Sequence, residues 1–300
     1  MAQSIWKALS NEFTEAASNL GNSVVALHGR GHATSGILWS KDSVVTASHA
    51  LRRDEEITVI VSPGSKALGR VAGRDAGTDL ALVRLQEQVD APTVRWGDTS
   101  ALQIGELVLA LGRSWRGNVV ASSGVISGLM GSWRTWRGGR LEQFIRPDLV
   151  MYPGFSGGPL ISSQGSILGL NTTGLHRSGI TVPSATVTRV VAELLEKGSV
   201  TRPYLGLSMQ AAPLPESLRS KLNLMASEGL VVLYVESGGP ADKAGVLLGD
   251  VLFELEGKSV SDTESVQDIL GGATVGKSLQ ARFIRAGSVT VVNIEVGTRK

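Results

Sequence analysis

SVVTASHAL, residues 43–51, is an apolar, β-branched run that breaks off at Ser48-His49. Val44, Val45 and Thr46 suit a half-buried pleated surface, and His49 falls where the chain leaves the sheet. Working outward, the same kind of text repeats. SVVALHG (23–29) and SGILWS (35–40) precede it. ITVIVS (57–62), DLALVRL (79–85), ELVLALG (106–112), NVVASSGVISG (118–128) and SILGLNTT (166–173) follow it. Gly, Asp, Ser and Pro separate these runs, and no helical pattern intervenes between successive strands. That spacing predicts an antiparallel sandwich or barrel from about Gly21 to Val182 rather than a β-α-β fold.

The period changes after Pro183-Ser184. Val187, Val190, Val191, Leu194 and Leu195 recur at helical spacing, and Gly198 closes that helix. Gly198-Ser199-Val200-Thr201-Arg202-Pro203 reads as a linker. Beyond it YLGLSMQ (204–210), GLVVLYV (229–235), DVLFELEG (250–257), SLQARFI (278–284) and VTVVNIEV (289–296) read as strands. Pro240–Gly245 and Asp262–Leu270 read as short helices. At the start, Ile5, Leu9, Phe13, Ala16 and Leu20 form an amphipathic helix that needs a surface, either its own chain or a neighbouring subunit.

Three hundred residues suffice for two domains, each able to bury a core without staples. With 42% hydrophobic and 19% charged residues the chain is globular, not disordered. A net charge of +2 leaves no broad electrostatic footprint for nucleic acid, and the absence of cysteine excludes disulfides, a Cys nucleophile and thiolate zinc sites. No apolar run approaches a membrane span. Asn11, Glu12 and Glu15 interrupt the apolar start, which argues against a cleaved secretory signal. As written the chain reads as cytoplasmic; with a trimmed start it reads as periplasmic or envelope.

Of the four histidines, His28 and His32 lie in a Gly-rich strand–turn context whose spacing does not converge them on a metal, and His176 lies in a polar loop. No metal and no other cofactor is expected. His49 is different, because two further residues suit it. Asp79 opens the strand DLALVRL after the turn Ala76-Gly77-Thr78. Ser156 stands in PGFSGGPL (153–160), framed by Gly154 and by Gly157-Gly158. Flanking glycines permit a tight turn that exposes the hydroxyl while neighbouring N–H groups point the same way. Such N–H groups hold the negative charge that develops on a carbonyl oxygen under attack. Serine needs an adjacent base: His49 takes its proton, and Asp79 fixes the imidazole tautomer. Each residue alone is weak; a His, Asp, Ser order in a β-rich region is specific.

TASHA, GTDLALVRL and PGFSGGPL resemble the three catalytic blocks of trypsin-like serine proteases, most nearly those of the HtrA (Deg) family. YLGL (204–207) with SGGPADKAGVLLGDVLFELEGKSV (237–260) is similar to the PDZ domain that follows the protease domain there. The resemblance covers roughly residues 20 to 297. It implies a mainly β fold: a chymotrypsin-like double β-barrel followed by a smaller α+β PDZ domain. The expected division is a helix over 1–20, a protease domain over 21–198, a linker over 199–202 and a PDZ domain over 203–300.

Carried over by position, His49, Asp79 and Ser156 form the triad, and Gly154, Phe155 and Ser156 supply oxyanion amides. Leu170, Asn171, Thr172, Thr173 and Gly174 wall the S1 pocket, with Val150 at its floor, which favours cleavage after small or medium aliphatic residues. In the PDZ domain, Tyr204, Leu205, Gly206 and Leu207 present amides to a terminal carboxylate. The Leu207–Met209 strand pairs with the peptide, and Val266 and Leu270 form the other wall, unless those two are simply core. The resemblance implies an endopeptidase acting on unfolded or misfolded polypeptides, with C-terminal tails held at the PDZ domain. It also implies a homotrimer built from N-terminal aromatics such as Trp6 and Phe13. The other reading is a silent peptide-binding scaffold or chaperone of the same fold.

Phe155 stands where the family has Asn. Trp115, Trp133 and Trp136 interleave with Arg113, Arg116, Arg134, Arg137 and Arg140 in GRSWRGN and GSWRTWRGGR. Such text suits a packed loop with internal Arg–Trp stacking, an anionic or membrane surface, or a plain solvated loop. The packed loop is the expectation; neither nucleic acid nor membrane contact is expected.

Overall fold

The computed structural model describes residues 4–28, 33–52, 56–90, 92, 94–271 and 273–299. The chain divides into two compact units, Met1–Val200 and Thr201–Lys300.

The first unit opens with helix α1 (Ile5–Gly21). Six strands follow: β1 (Val24–His28), β2 (Thr34–Ser40), β3 (Ser43–Ala47), β4 (Glu56–Ser62), β5 (Ser65–Asp75) and β6 (Leu80–Leu85). They close into a barrel in the order β1-β2-β3-β6-β5-β4. Next come β7 (Leu107–Arg113), β8 (Val119–Met130), the short hairpin β9 (Trp133–Arg134) and β10 (Arg140–Leu141), β11 (Phe144–Asp148), β12 (Pro159–Ser162), β13 (Ile167–Thr172) and β14 (Ile180–Pro183). Here β11-β14-β13-β12-β7-β8 close a second barrel. Helix α2 (Ser184–Lys197) ends at Gly198, whose φ is +69° and whose N–H donates to Leu194 O at 3.0 Å.

Closure requires strands that bend, and the register shifts show where they do. Shifts fall between Ile60 and Ser62, between Val71 and Gly73, and between Arg146 and Pro147. Pro147, which has no N–H for the ladder, therefore sits at a bulge. Each barrel holds its own apolar core, with Leu27, Leu38, Val44 and Val83 in the first and Val108, Ile126, Ile145 and Leu160 in the second. A larger cluster joins them: Ile37, Val45 and Leu82 meet Leu111, Ile161 and Leu170, and Val187, Val190 and Leu194 of α2 pack on it. At about 1.5–3 kcal/mol for each such side chain, this shared layer holds the barrels face to face. The site forms along that seam.

The second unit contains β15 (Arg202–Tyr204), β16 (Leu207–Pro213), α3 (Glu216–Leu222), β17 (Glu228–Val235), α4 (Pro240–Lys243), β18 (Val251–Leu255), β19 (Lys258–Ser259), α5 (Thr263–Gly271), β20 (Ser278–Arg285), β21 (Ser288–Glu295) and β22 (Gly297–Arg299). Its main sheet runs β16-β17-β18-β20-β21, so β16 is an edge strand. Leu230, Leu252, Phe283 and Ile294 fill its core. No helix among the described residues is long and apolar enough to cross a membrane.

Candidate active site

Pairing of β3 with β6 sets Ala47 opposite Leu80. The residues just beyond those ends, 48–49 and 79, are therefore neighbours although about thirty residues apart in sequence. Ser48 N–H donates to Asp79 O at 2.8 Å, and His49 N–H donates to Asp79 Oδ1 at 2.8 Å. His49 Nδ1 lies 2.7 Å from Asp79 Oδ2. From the second barrel, the Thr172 hydroxyl at the end of β13 donates to the same Oδ2. Asp79 is fully buried with φ +58°, a left-handed conformation that aspartate tolerates better than most residues. A buried carboxylate needs such donors, and here three converge on it. The His49 side chain keeps 30% exposure, so its far edge faces the cleft.

Ser156 lies on the turn between β11 and β12. Gly157 has φ +87°, and a Cβ there would stand 1.9 Å from Ser35 O, so only glycine fits. Ser156 Oγ lies 3.2 Å from Thr173 Oγ1 and accepts the Thr173 N–H at 3.3 Å. The next residue, Gly174, lies against the imidazole: a Cβ on it would be 2.5 Å from His49 Nδ1 and 2.5 Å from Asp79 Oδ2. Hydroxyl and imidazole thus flank one dipeptide. Among the described residues no hydrogen bond joins them directly. In ligand-free sites such bonds are commonly loose and tighten around a substrate.

Several expected site residues land elsewhere. The Phe155 amide is not free for an oxyanion, because the Tyr152–Phe155 turn directs it to Tyr152 O at 3.0 Å. The amides of Gly154 and Ser156 have no partner among the described residues. Phe155 itself is 2% exposed, packed among Val108, Ile126, Ile145 and Leu160, with Tyr152 tilted against it at 5.7 Å. It anchors the turn apolarly.

Val150 is 55% exposed and does not floor a pocket. Extended chain alternates its faces, so Leu149 and Met151 turn onto the barrel core instead. Leu170 and Asn171 are core too: Asn171 donates to Pro159 O at 3.0 Å and accepts the Thr181 hydroxyl at 2.8 Å. Thr172 faces Asp79. Only Thr173 and Gly174 of that wall reach the surface.

Two features of the site escaped the motif reading. The resemblance places Thr172 in a pocket wall, but its hydroxyl donates to the Asp79 carboxylate. The β9–β10 hairpin also touches the acid's turn: Thr135 Oγ1 donates to Gly77 O at 2.7 Å, and Gly139 lies so close that a Cβ would be 2.2 Å from the Gly77 carbonyl. Its outer residues show the expected stacking, with Arg137 4.5 Å from the Trp136 ring; in the preceding loop Arg116 lies 4.8 Å from Trp115. Arg113, grouped with that surface text, is buried, and burial lowers its pKa from the ordinary value. Its guanidinium donates to the carbonyls of Gly21, Val24 and Gly117. Of the remaining histidines, His28 and His176 are exposed, and His32 lies outside the described residues.

In the second unit, the Leu205 carbonyl accepts Ala241 N–H and the Gly206 carbonyl accepts Glu236 N–H, each at 2.9 Å. Gly206 has φ +77°. Tyr204 belongs to β15, paired with β22 through Gly297, rather than to a loop. Leu207 and Met209 of β16 are partly buried against the core. Val266 and Leu270 on α5 are buried core residues, the second of the two roles open to them.

A family model described as a trypsin-like peptidase domain matches residues 34–170, and one described as a PDZ domain matches residues 203–296. Serine protease Do-like HtrA of Lactobacillus helveticus is 31% identical over 272 residues, covering 84% of this chain and 65% of the relative. A probable periplasmic serine endoprotease, DegP-like, of Ectopseudomonas mendocina is 31% identical over 271 residues, covering 88% of this chain and 56% of the relative. The chain thus spans less than two thirds of the length of these relatives. Among solved structures, HtrA-type protease AlgW with decapeptide superposes with a TM-score of 0.78 at 23% identity, over 96% of this chain and 99% of that one. AlgW with tripeptide gives 0.75 at 26% identity, over 96% and 97%. Two closed six-stranded barrels, a second unit with the PDZ sheet, and relatives aligned across both units agree: the chain joins a trypsin-like peptidase domain to a PDZ domain and is a homologue of the HtrA (Deg) serine proteases.

Proposed function

We propose that this chain is a serine endopeptidase that cleaves unfolded or misfolded polypeptides, with His49, Asp79 and Ser156 as its triad. The observation that carries the reading is the Asp79 carboxylate, which receives His49 Nδ1, His49 N–H and Thr172 from both barrels while Ser156 waits across Thr173-Gly174. Ser156 Oγ attacks the peptide carbonyl carbon as His49 Nε2 takes its proton. The amides of Gly154 and Ser156 hold the oxyanion. The imidazolium, stabilised by Asp79, then protonates the departing amine, leaving an acyl-enzyme. Water attacks that ester with His49 again as base, releasing the acid and restoring the hydroxyl.

The run Leu149–Ser156, LVMYPGFS, carries no acidic side chain, which supports cleavage after small or medium aliphatic residues over Lys or Arg. The PDZ domain binds extended C-terminal peptides at the free edge of β16, the Tyr204–Leu207 segment meeting the terminal carboxylate. The solved structures of HtrA-type protease AlgW with decapeptide and with tripeptide support a peptide ligand. A homotrimer assembled through Trp6 and Phe13 fits the exposure of Ile5 and Trp6, 83% and 79%. The relatives named periplasmic support action in that compartment.

Incubation with reduced casein tests the chemistry. The wild type should give fragments, and Ser156→Ala should slow them on the order of a millionfold, as expected when a triad acts as a unit. Equal fragments from both would remove Ser156 from the mechanism. Fragments from neither, with no fluorophosphonate labelling of Ser156, would favour the silent scaffold.

A further inference from the structure

Ser35, on β2 of the first barrel, is fully buried and clamps the nucleophile turn of the second. Its hydroxyl donates to Gly154 O at 2.6 Å and accepts the Arg113 N–H at 3.0 Å. Its backbone N–H donates to Ser156 O at 2.9 Å. Its carbonyl accepts the Thr46 hydroxyl at 2.6 Å and lies against Gly157, where any Cβ would be 1.9 Å away. One residue therefore touches three of the four residues 154–157. Thr34 reinforces it, its hydroxyl donating to Ser156 O at 2.6 Å.

The consequence concerns one peptide plane. The Gly154–Phe155 peptide has its carbonyl held by Ser35 and its N–H held by Tyr152 O at 3.0 Å. A plane tied at both ends does not rotate. Because that plane is fixed, the Phe155 N–H is kept out of the cleft, and the amides on either side of it, Gly154 and Ser156, stay unpartnered among the described residues. Without the Ser35 hydroxyl, Gly154 O would lose its donor, and Gly154 (φ +94°) is free to rotate the plane. The carbonyl itself could then turn toward the oxyanion position, setting an acceptor beside the Gly154 and Ser156 donors.

We propose that Ser35 is a positioning residue that pre-organises the oxyanion hole by locking the Gly154–Phe155 peptide. This rests on Ser156 being the nucleophile. Arg113 stands behind the lock: its N–H orients the Ser35 hydroxyl, and its guanidinium is tied to carbonyls of Gly21, Val24 and Gly117.

Full-length Ser35→Ala tests it, with kcat taken per fluorophosphonate-titrated site on a peptide substrate. Losing one oxyanion donor costs about 10²–10³-fold in kcat, and a loss in that range is expected here with KM unchanged. Ser35→Thr, which keeps the hydroxyl, should recover most of it. A peptidyl boronate should lose affinity in Ser35→Ala by a comparable factor, while a non-covalent product peptide should not. A lower melting temperature and fewer titratable sites, with kcat per site intact, would overturn the proposal. Should Ser35→Ala fail to fold, Ser35→Cys keeps the volume with a weaker donor and should give a smaller loss of the same kind; full kcat would overturn it. If the wild type is inert to fluorophosphonate and casein, the nucleophile reading fails, yet hydrogen exchange still reads the lock. The Phe155 amide should exchange at least about tenfold faster in Ser35→Ala, or in Ser35→Cys if that is the variant that folds. An equal rate would refute it.

Discussion

Asp79, Gly157 and Gly174 are the residues at which the backbone itself shapes the candidate site. Asp79 adopts a left-handed φ of +58° that turns its carboxylate back onto His49. Gly174 is required by what lies beside it, since 2.5 Å separates its would-be Cβ from both His49 Nδ1 and Asp79 Oδ2. Gly174→Ala should therefore displace the imidazole by several tenths of an ångström or more. Misplacement of about 1 Å costs on the order of 10²-fold, so kcat/KM should fall about 10–100-fold with little change in melting temperature. Steady-state kinetics beside a thermal melt checks this; unchanged kcat/KM would mean the ring is not held by that contact.

At the scale of elements, β3 and β6 bring His49 and Asp79 to one corner, and the β9–β10 hairpin braces the Asp79 turn through Thr135. The second unit has its own anchor. Asp250, at the start of β18, is 2% exposed and receives Arg285 Nε at 2.8 Å and Nη2 at 2.6 Å from β20. Burial alone would raise its pKa, but the Arg285 and Leu247 hydrogen bonds and the Arg285 charge outweigh that and hold it below the usual carboxylate range. A depressed folded pKa stabilises above the unfolded value, about 3.9 for aspartate, and the contribution vanishes as pH falls through the lower folded value. Asp250→Asn should cost about 2–3 kcal/mol near neutrality, with the deficit shrinking toward pH 2. Urea melts across pH, followed on the transition of the second unit, measure it; a deficit independent of pH would assign the loss to packing instead of charge.

At the scale of the molecule, two surfaces bear on the proposed partners. Helix α1 leaves Ile5 and Trp6 outward, and a groove of about 810 Å³ runs between it and β7–β8, lined by Trp6, Leu9, Phe13, Leu109 and Val119. If this face assembles the trimer, Trp6→Ala with Phe13→Ala should shift sedimentation toward monomer, each buried aromatic contributing roughly 2 kcal/mol. An unmoved sedimentation coefficient would place assembly elsewhere. At the free edge of β16, a peptide with a terminal carboxylate should bind Ser156→Ala protein about 10–100-fold more tightly than its amidated twin, the worth of charge-assisted hydrogen bonds. Calorimetry giving equal affinities would exclude carboxylate capture.

The strand pattern, the period change after Pro183 and the helix stop at Gly198 were all legible in the text, because local periodicity and turn chemistry act over a few residues. Which side chain faces which partner was not. Val150 and Met151 look interchangeable in sequence, yet alternation sends one to solvent and one to the core. Thr172 and Ser35 look like ordinary strand residues until the two barrels meet, and only then does each hydroxyl find its acceptor on the other barrel. Composition and spacing determine what elements a chain can form. Hydrogen bonds between residues a hundred positions apart exist only once the shared core has brought the barrels together.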